Sequence, residues 1–439
     1  MSSKRRTFEQ GSFLPNKNTK RRGSHRIMNG STIVPINSAS DVLGVDLPPI
    51  RRGRSADNLE RSMKSKHEKS THKPTNCSKE NHTPSCSTSQ KVVNIPVNTE
   101  QRVVRQAAPI TRQRPATYHV MASNLHRQMR ENCQRWCQRV VRDKGVEGLK
   151  NEFSSLKKSV DPNAATMFMQ QPPNTKNRYR DVICLDKTRV VLKNTEDDYI
   201  HANYVSAPQS EKRFICTQAP TDNTCGDFWR MVVQEKSSVI VMLCNFYEKQ
   251  MKKCSEYVPT KIGESLTFDG NITVTCRTQK ILELPKECTQ KIVIRVSGLS
   301  IVFDNNTNNP HFCDHYGWID WPDRGVPGTD LTAINVLNVI RPCKYPIIIH
   351  CSAGVGRTGT IVMIEYVLEL FLSGKPFEKS DEILNKIREQ RSMSIQTAEQ
   401  YLYVHRLLLE YFYRLNLLEP EQLPHIRKFV EDYNKATHT

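Results

Sequence analysis

YPIIIHCSAGVGRTGT, Tyr345 to Thr360, is the stretch that decides how the rest of the chain is read. Pro346-Ile347-Ile348-Ile349 is a short β-branched run with the character of a buried strand. Gly354, Gly356 and Gly359 then let the backbone curl around something small. The apolar run Ile361-Val362-Met363-Ile364 continues as a helix, which Gly374 and Pro376 bring to an end. A strand, a tight glycine turn and a helix form an α/β unit. The turn's N–H groups and the helix N-terminus converge on one point, which is the geometry of an anion site.

Two side chains make that site chemical as well as adhesive. Cys351 opens the turn, and Arg357 follows six positions later. A thiol at a helix N-terminus beside an arginine ionises readily, its pKa falling from ~8.5 toward ~3.5–7.5. The thiolate is a strong nucleophile. Arg357 offers a planar fork of donors that fits two phosphate oxygens, and Ser352, Ala353, Gly354, Val355 and Gly356 supply the amides. An anion cradle with a thiolate at its floor is suited to attack on phosphorus. The spacing alone would be weak, since Cys133 also has an arginine, Arg139, six residues on. That pair lies in a helical pattern with no glycine between its members and builds no cradle.

HCSAGVGRTG resembles the signature of the classical protein tyrosine phosphatases, of the non-receptor kind, and the similarity extends roughly from Phe153 to Tyr413. The resemblance implies a role for each matching residue. Cys351 is the nucleophile, forming a phosphocysteine, and Arg357 holds the phosphate. Trp321-Pro322-Asp323, with Gly325-Val326-Pro327 after it, matches the mobile acid loop, so Asp323 is the proton donor. Gln396 and Gln400 match the QTxxQ segment; Gln396 positions water, and Gln400 stands with the substrate-binding set. Thr358 donates to the sulfur, and His350 sets the environment of Cys351. In KNRYRDV, Lys176 to Val182, Tyr179 stacks on the substrate ring and Asp181 takes hydrogen bonds from substrate amides. Glu248, which braces Arg357, and Lys253 belong to a loop beside the site. No metal and no cofactor are required, because Arg357 and the amides neutralise the phosphate. Three positions depart from the pattern: His201 stands for Asn, Val258 for Trp and Trp318 for Tyr.

The rest of the sequence bounds this reading. Net charge is +19 over 439 residues, but residues 1–130 hold 24 Lys and Arg against 8 Asp and Glu. The basicity therefore belongs to the N-terminal part. Residues 1–120 are rich in Ser, Thr, Asn, Lys and Arg and poor in apolar runs, so they read as a disordered basic segment. That segment suits acidic partners or anionic surfaces; without interleaved aromatics it is a poor nucleic-acid binder. Residues 121–418 read as the catalytic domain with N-terminal helices, and 419–439 as a tail whose role is unread. A helix is predicted from Ser123 to Lys144, with Leu125, Met129, Cys133, Trp136 and Val140 on one stripe, and Gly145 breaking it. Thr224 reads as the N-cap region of a helix carrying Phe228, Trp229 and Met231. Residues 264–303 alternate apolar and polar, as antiparallel strands do. The fold class that follows is α/β, a central twisted mixed sheet flanked by helices.

The 14 cysteines show no CxxC pair and no metal-ligand spacing, which fits a reducing compartment, the cytoplasm with the nucleus also open. No apolar run reaches membrane-spanning length. The expected function is hydrolysis of phosphotyrosine in proteins. The competing readings are a catalytically weak phosphotyrosine-binding pseudophosphatase, a dual-specificity or RNA-phosphate enzyme, and a nucleic-acid or membrane binder, through the basic segment, with a catalytic passenger. The second lacks the KNRYRDV rim.

Overall fold

A computed structural model of the chain describes residues 116–156, 161–285, 292–304, 306–319, 321–328 and 331–438. The predicted disordered basic segment lies outside these as far as residue 115. The first helix, α1, runs Ala116–Gln138 and so begins before the predicted Ser123. No helix breaker separates Pro115 from Ser123, so the helical pattern simply extends backward. Met129, Cys133 and Trp136 on its stripe are buried, and Val140 just beyond it is buried too. Arg139–Lys144 is a π-helical stretch leading into α2, Gly145–Ser155. Gly145 therefore redirects the helix into a second one.

A short helix α3, Thr166–Gln170, precedes the sheet strands β1 Arg189–Val191, β2 Tyr199–Ala207 and β3 Ser210–Thr217. Then come α4 Cys225–Gln234, β4 Val239–Met242 and the hairpin β5 Tyr247–Glu248 with β6 Met251–Lys252. Thr224 is the N-cap of α4, at the predicted position. Thr221 and Thr224 form a capping box around the turn Asp222–Thr224, because Thr221 is where the extended chain ends. Strands β7 Ser265–Phe268, β8 Ile272–Ile281, β9 Ile294–Phe303 and β10 His311–Trp318 follow. The chain closes with α5 Thr332–Ile340, β11 Ile347–His350, α6 Gly356–Leu372, α7 Ser380–Arg388, α8 Ala398–Arg414 and α9 Leu423–Thr437.

Nine strands form one mixed sheet in the order β1-β2-β3-β11-β4-β10-β9-β8-β7. Its centre, β3-β11-β4-β10, is parallel, and its flanks are antiparallel. The reason is legible in the burial. Every residue of β4 and β11 is buried, as a central parallel strand covered on both faces must be. β8 instead starts as a buried and half-buried alternation. Helix α8 packs on α2, α6 and α9. The carboxylate of Glu152 on α2 receives Arg139, Lys144 and the Tyr401 hydroxyl from α8, so a buried charge is fully partnered where the helices meet. The segment read as a tail carries α9, whose Phe429 and Tyr433 are buried. No helix among the described residues is long and apolar enough to cross a membrane.

Candidate active site

β11 ends at His350, and the turn 351–355 delivers the chain into α6. Gly354 sits at φ +69°, and a Cβ there would lie 2.0 Å from the carbonyl oxygen of Thr217. Only glycine satisfies both conditions. The turn folds over the sulfur, and the Gly354 amide donates to Cys351 Sγ at 3.2 Å. From outside, Arg391 on the segment after α7 holds the turn. Its guanidinium is buried and donates to the carbonyls of Gly354 and Ala353 at 3.1 Å each. His201, in the position that departs from the motif, supports Arg391 through Nδ1 and meets the Val182 carbonyl through Nε2 at 2.8 Å.

The Cys351 thiol is almost fully buried, which by itself would push it up. Arg357, the hydroxyl and amide of Thr358 and the Gly354 amide overcome that and hold it below the ordinary thiol value. Thr358 Oγ1 is buried and has no hydrogen bond of normal geometry to any other described residue. Other buried thiols go the opposite way: burial raises Cys184 to about 11 and Cys216 and Cys225 to about 12. Cys351 alone among these is set up to ionise.

Arg357 is gripped from three sides. Nη1 and Nη2 donate to the two oxygens of Glu248 at 2.6 and 3.0 Å, a bidentate pair. Nη1 also donates to the carbonyl of Trp321 at 3.0 Å, and Nη2 to Asp323 Oδ1 at 3.2 Å. Asp323 Oδ2 accepts from Lys253 Nζ at 2.9 Å. Burial would push this carboxyl up, but Lys253, Arg357 and Arg324 hold it below the usual carboxylate range. The acid loop is thus folded over Arg357. Its root is fixed by Trp321, which packs edge-on against Trp318 and Tyr403 and donates Nε1 to the Gly325 carbonyl.

His350 is buried, and burial lowers it to about 3, so it is neutral. Its partners order the protons in a row. His315 Nε2 and His350 Nε2 lie 2.8 and 2.7 Å from the one Tyr257 hydroxyl. If His350 Nδ1–H donates to its neighbour, the Cys351 carbonyl at 3.3 Å, then Nε2 accepts from Tyr257 and the Tyr257 oxygen accepts from His315. The imidazole thus lies between the Cys351 carbonyl and the Tyr257 hydroxyl.

Tyr179, Asp181, Lys253, Asp323, Cys351, Ser352, Ala353, Arg357, Gln396 and Gln400 line one cavity of about 80 Å³. Tyr179 Oη and Ser352 Oγ are 2.8 Å apart, and Val182 packs with Ala353 and Val355 beneath. Asp181 is exposed at the rim. The Gln396 amide donates to Gln400 Oε1 at 3.0 Å, and a Cβ on Gly356 would lie 2.5 Å from Gln396 Oε1, so both glutamines close on the turn. Glu248 and Thr358 stand behind Arg357 and the sulfur, and His350 below, outside the cavity wall. Arg391, Tyr257 and, within KNRYRDV, Arg178 are supporting residues to which the motifs assign no role. Arg178 Nε donates to the Ala219 carbonyl at 3.0 Å and holds the Tyr179 segment against the sheet. Nothing local in the sequence says that Arg391 and Tyr257 are buried or what they meet.

A family model described as protein-tyrosine phosphatase matches residues 173–410, which include every residue of this cavity. The chain belongs to the protein-tyrosine phosphatase family. Receptor-type tyrosine-protein phosphatase F of Homo sapiens is 33% identical over 287 residues, covering 62% of this chain and 14% of that protein. Relatives named non-receptor match too, as the expected class requires. Type 9 of Rattus norvegicus is 31% identical, over 62% of this chain and 47% of its own. Type 2 of Mus musculus is 33% identical, over 54% of this chain and 57% of its own. The chain thus spans between 14% and 57% of these relatives' length. A solved structure described as the structural basis of the PTPN18 fingerprint on distinct HER2 tyrosine phosphorylation sites aligns with a TM-score of 0.54 at 30% identity. It covers 60% of this chain and 95% of the solved one. Measured against the family's pattern, His201 serves the cradle from behind, while Val258 and Trp318 lie in the surrounding core.

Proposed function

We propose that this chain hydrolyses phosphotyrosine in proteins through a phosphocysteine on Cys351. The observation that carries the reading is the sulfur of Cys351, held toward its thiolate beneath the Gly354 amide and beside Arg357 while neighbouring buried thiols are pushed up. The phosphate dianion enters the turn and takes donors of Arg357 and the amides, which neutralise charge in a preorganised way. The thiolate attacks phosphorus in line and the phosphorus–oxygen bond to the phenol breaks. Asp323 gives its proton to the leaving oxygen, help worth ~10²–10⁴-fold. Gln396 then positions a water, Asp323 takes the proton back, Thr358 assists the departing sulfur, and inorganic phosphate leaves. Tyr179 forms one wall and Asp181 the outer rim, a depth that suits an aryl phosphate. Because Glu248 holds Arg357 from behind, the guanidinium keeps its aim throughout. We place the chain in the cytoplasm, with the nucleus open, where the eleven free cysteines of the described residues stay reduced.

The test is turnover of an aryl phosphate and of matched phosphotyrosine and phosphoserine peptides, with and without vanadate. Cys351→Ser is expected to abolish turnover and retain phosphotyrosine-peptide binding. Asp323→Ala is expected to lower kcat by ~10²–10⁴-fold and KM far less. Turnover by Cys351→Ser would remove the nucleophile assignment. Binding without turnover in the unaltered chain would favour the pseudophosphatase reading.

A further inference from the structure

Away from the Cys351 cradle lies a second cavity, of about 140 Å³. Its floor is one face of the sheet. In the strand register, Gln279 on β8 faces Ser297 on β9, Ser297 faces His315 on β10, and Arg295 faces Gly317. Gly317 in turn pairs with Met242 on β4. Side chains two apart share a face, so His315 and Gly317 point the same way and Ile319 continues the row. At the centre of that face Gly317 contributes no side chain. The roof is Phe246 with the segment Val258-Pro259-Thr260. Val258 stands where the motif has Trp, so a second large side chain is missing from above. Two absent side chains on facing surfaces make the hollow.

The chemistry of the walls selects an occupant. Met242, Phe246, Val258 and Ile319 are apolar, and His315 is held neutral by burial. The side chain of Arg295, half-exposed, makes no hydrogen bond or ion pair with any described residue, and no carboxylate lines the cavity. A fork of donors beside an apolar hollow matches a carboxylate on a flat ring. The volume is close to that of cavities which hold one benzene ring, ~150 Å³. We propose that this cavity is a binding site for a small aromatic carboxylate, with its ring between Val258 and Gly317 and its carboxylate on Arg295. Its wall is wired to the catalytic cavity. Asn245 in the wall donates through Nδ2 to the Ile319 carbonyl at 3.1 Å and through its amide to Glu248 at 3.1 Å, and Glu248 grips Arg357.

The probe is 4-fluorobenzoate, followed by fluorine NMR titration of the full chain with orthovanadate saturating the Cys351 cradle. Binding rather than turnover is read, so the outcome stands apart from the catalytic reading. Saturable binding near ~1 mM is expected for a ligand of this size. Val258→Trp, and Val258→Phe should the larger variant fail to fold, is expected to weaken it at least ~10-fold by filling the hollow. Arg295→Gln is expected to weaken 4-fluorobenzoate several-fold while leaving fluorobenzene unchanged. No saturable binding, or binding indifferent to Val258→Trp and Val258→Phe, overturns the proposal.

Discussion

At Asp323 two cations compete with burial for one carboxyl. Lys253 and Arg357 both reach it, and together with Arg324 they hold it ionised against the cost of its surroundings. A proton donor needs the opposite state. A phosphate dianion engaging Arg357 withdraws one cation and adds negative charge, and both changes raise the carboxyl's hold on its proton. Lys253 remains as the brake. Lys253→Ala removes a cation, so the protonated form persists to higher pH, and the alkaline limb of the kcat profile is expected to shift upward. A limb that stays or moves down would show that Lys253 does not set this acid. The residue scale is also where the sequence was most legible. Cys351, Arg357 and Asp323 each sit in a compact motif whose chemistry is local. Arg391 and Tyr257 do not, because their work is done on carbonyls and imidazoles far along the chain, and one sequence carries no record of that proximity.

The turn between β11 and α6 is the element on which the site rests. Its shape depends on one left-handed residue wedged against β3. Gly354→Ala must relieve a clash with the Thr217 carbonyl as well as a positive φ, a strain of roughly 1–3 kcal/mol or more. The shift falls on the amide that faces the sulfur. kcat/KM is expected to drop at least ~10²-fold, since displacement of about 1 Å at a reacting centre costs that much. Activity near that of the unaltered chain, in a folded variant, would mean that the turn tolerates the change. Strand and helix patterns were readable at this scale wherever a whole face is apolar, as in β4, β11 and α1. α9 was not, because its burial depends on two aromatic residues in an otherwise charged segment.

Over the whole molecule, His201, His315, His350 and His405 are buried, and burial lowers them to about 3, 4, 3 and 4. Each would titrate near ~6.5 in the unfolded chain. Between those values the unfolded state binds more protons, so stability rises with pH. The contribution is complete above ~6.5 and is lost progressively as pH falls toward the folded values. Tm is therefore expected to hold from pH ~7.5 to ~6.5 and to decline from there to pH ~5; a flat profile throughout would mean that these rings accept protons without unfolding. The overall α/β architecture follows from buried parallel strands bordered by alternating ones, whereas the coupling of distant helices through Glu152 has no trace in local pattern. The π stretch Arg139–Lys144 bears on that coupling in a different way. A π-turn carries one residue beyond an α-turn. Excising a single amino acid there would return the π-turn to an α-turn and leave Cys133 and Trp136 seated, whereas the same excision within α1 would swing everything upstream by about 100° around its axis. Replacing the exposed Arg142 would leave them seated too, so this stretch is the one place in the helix where a change of chain length can be absorbed.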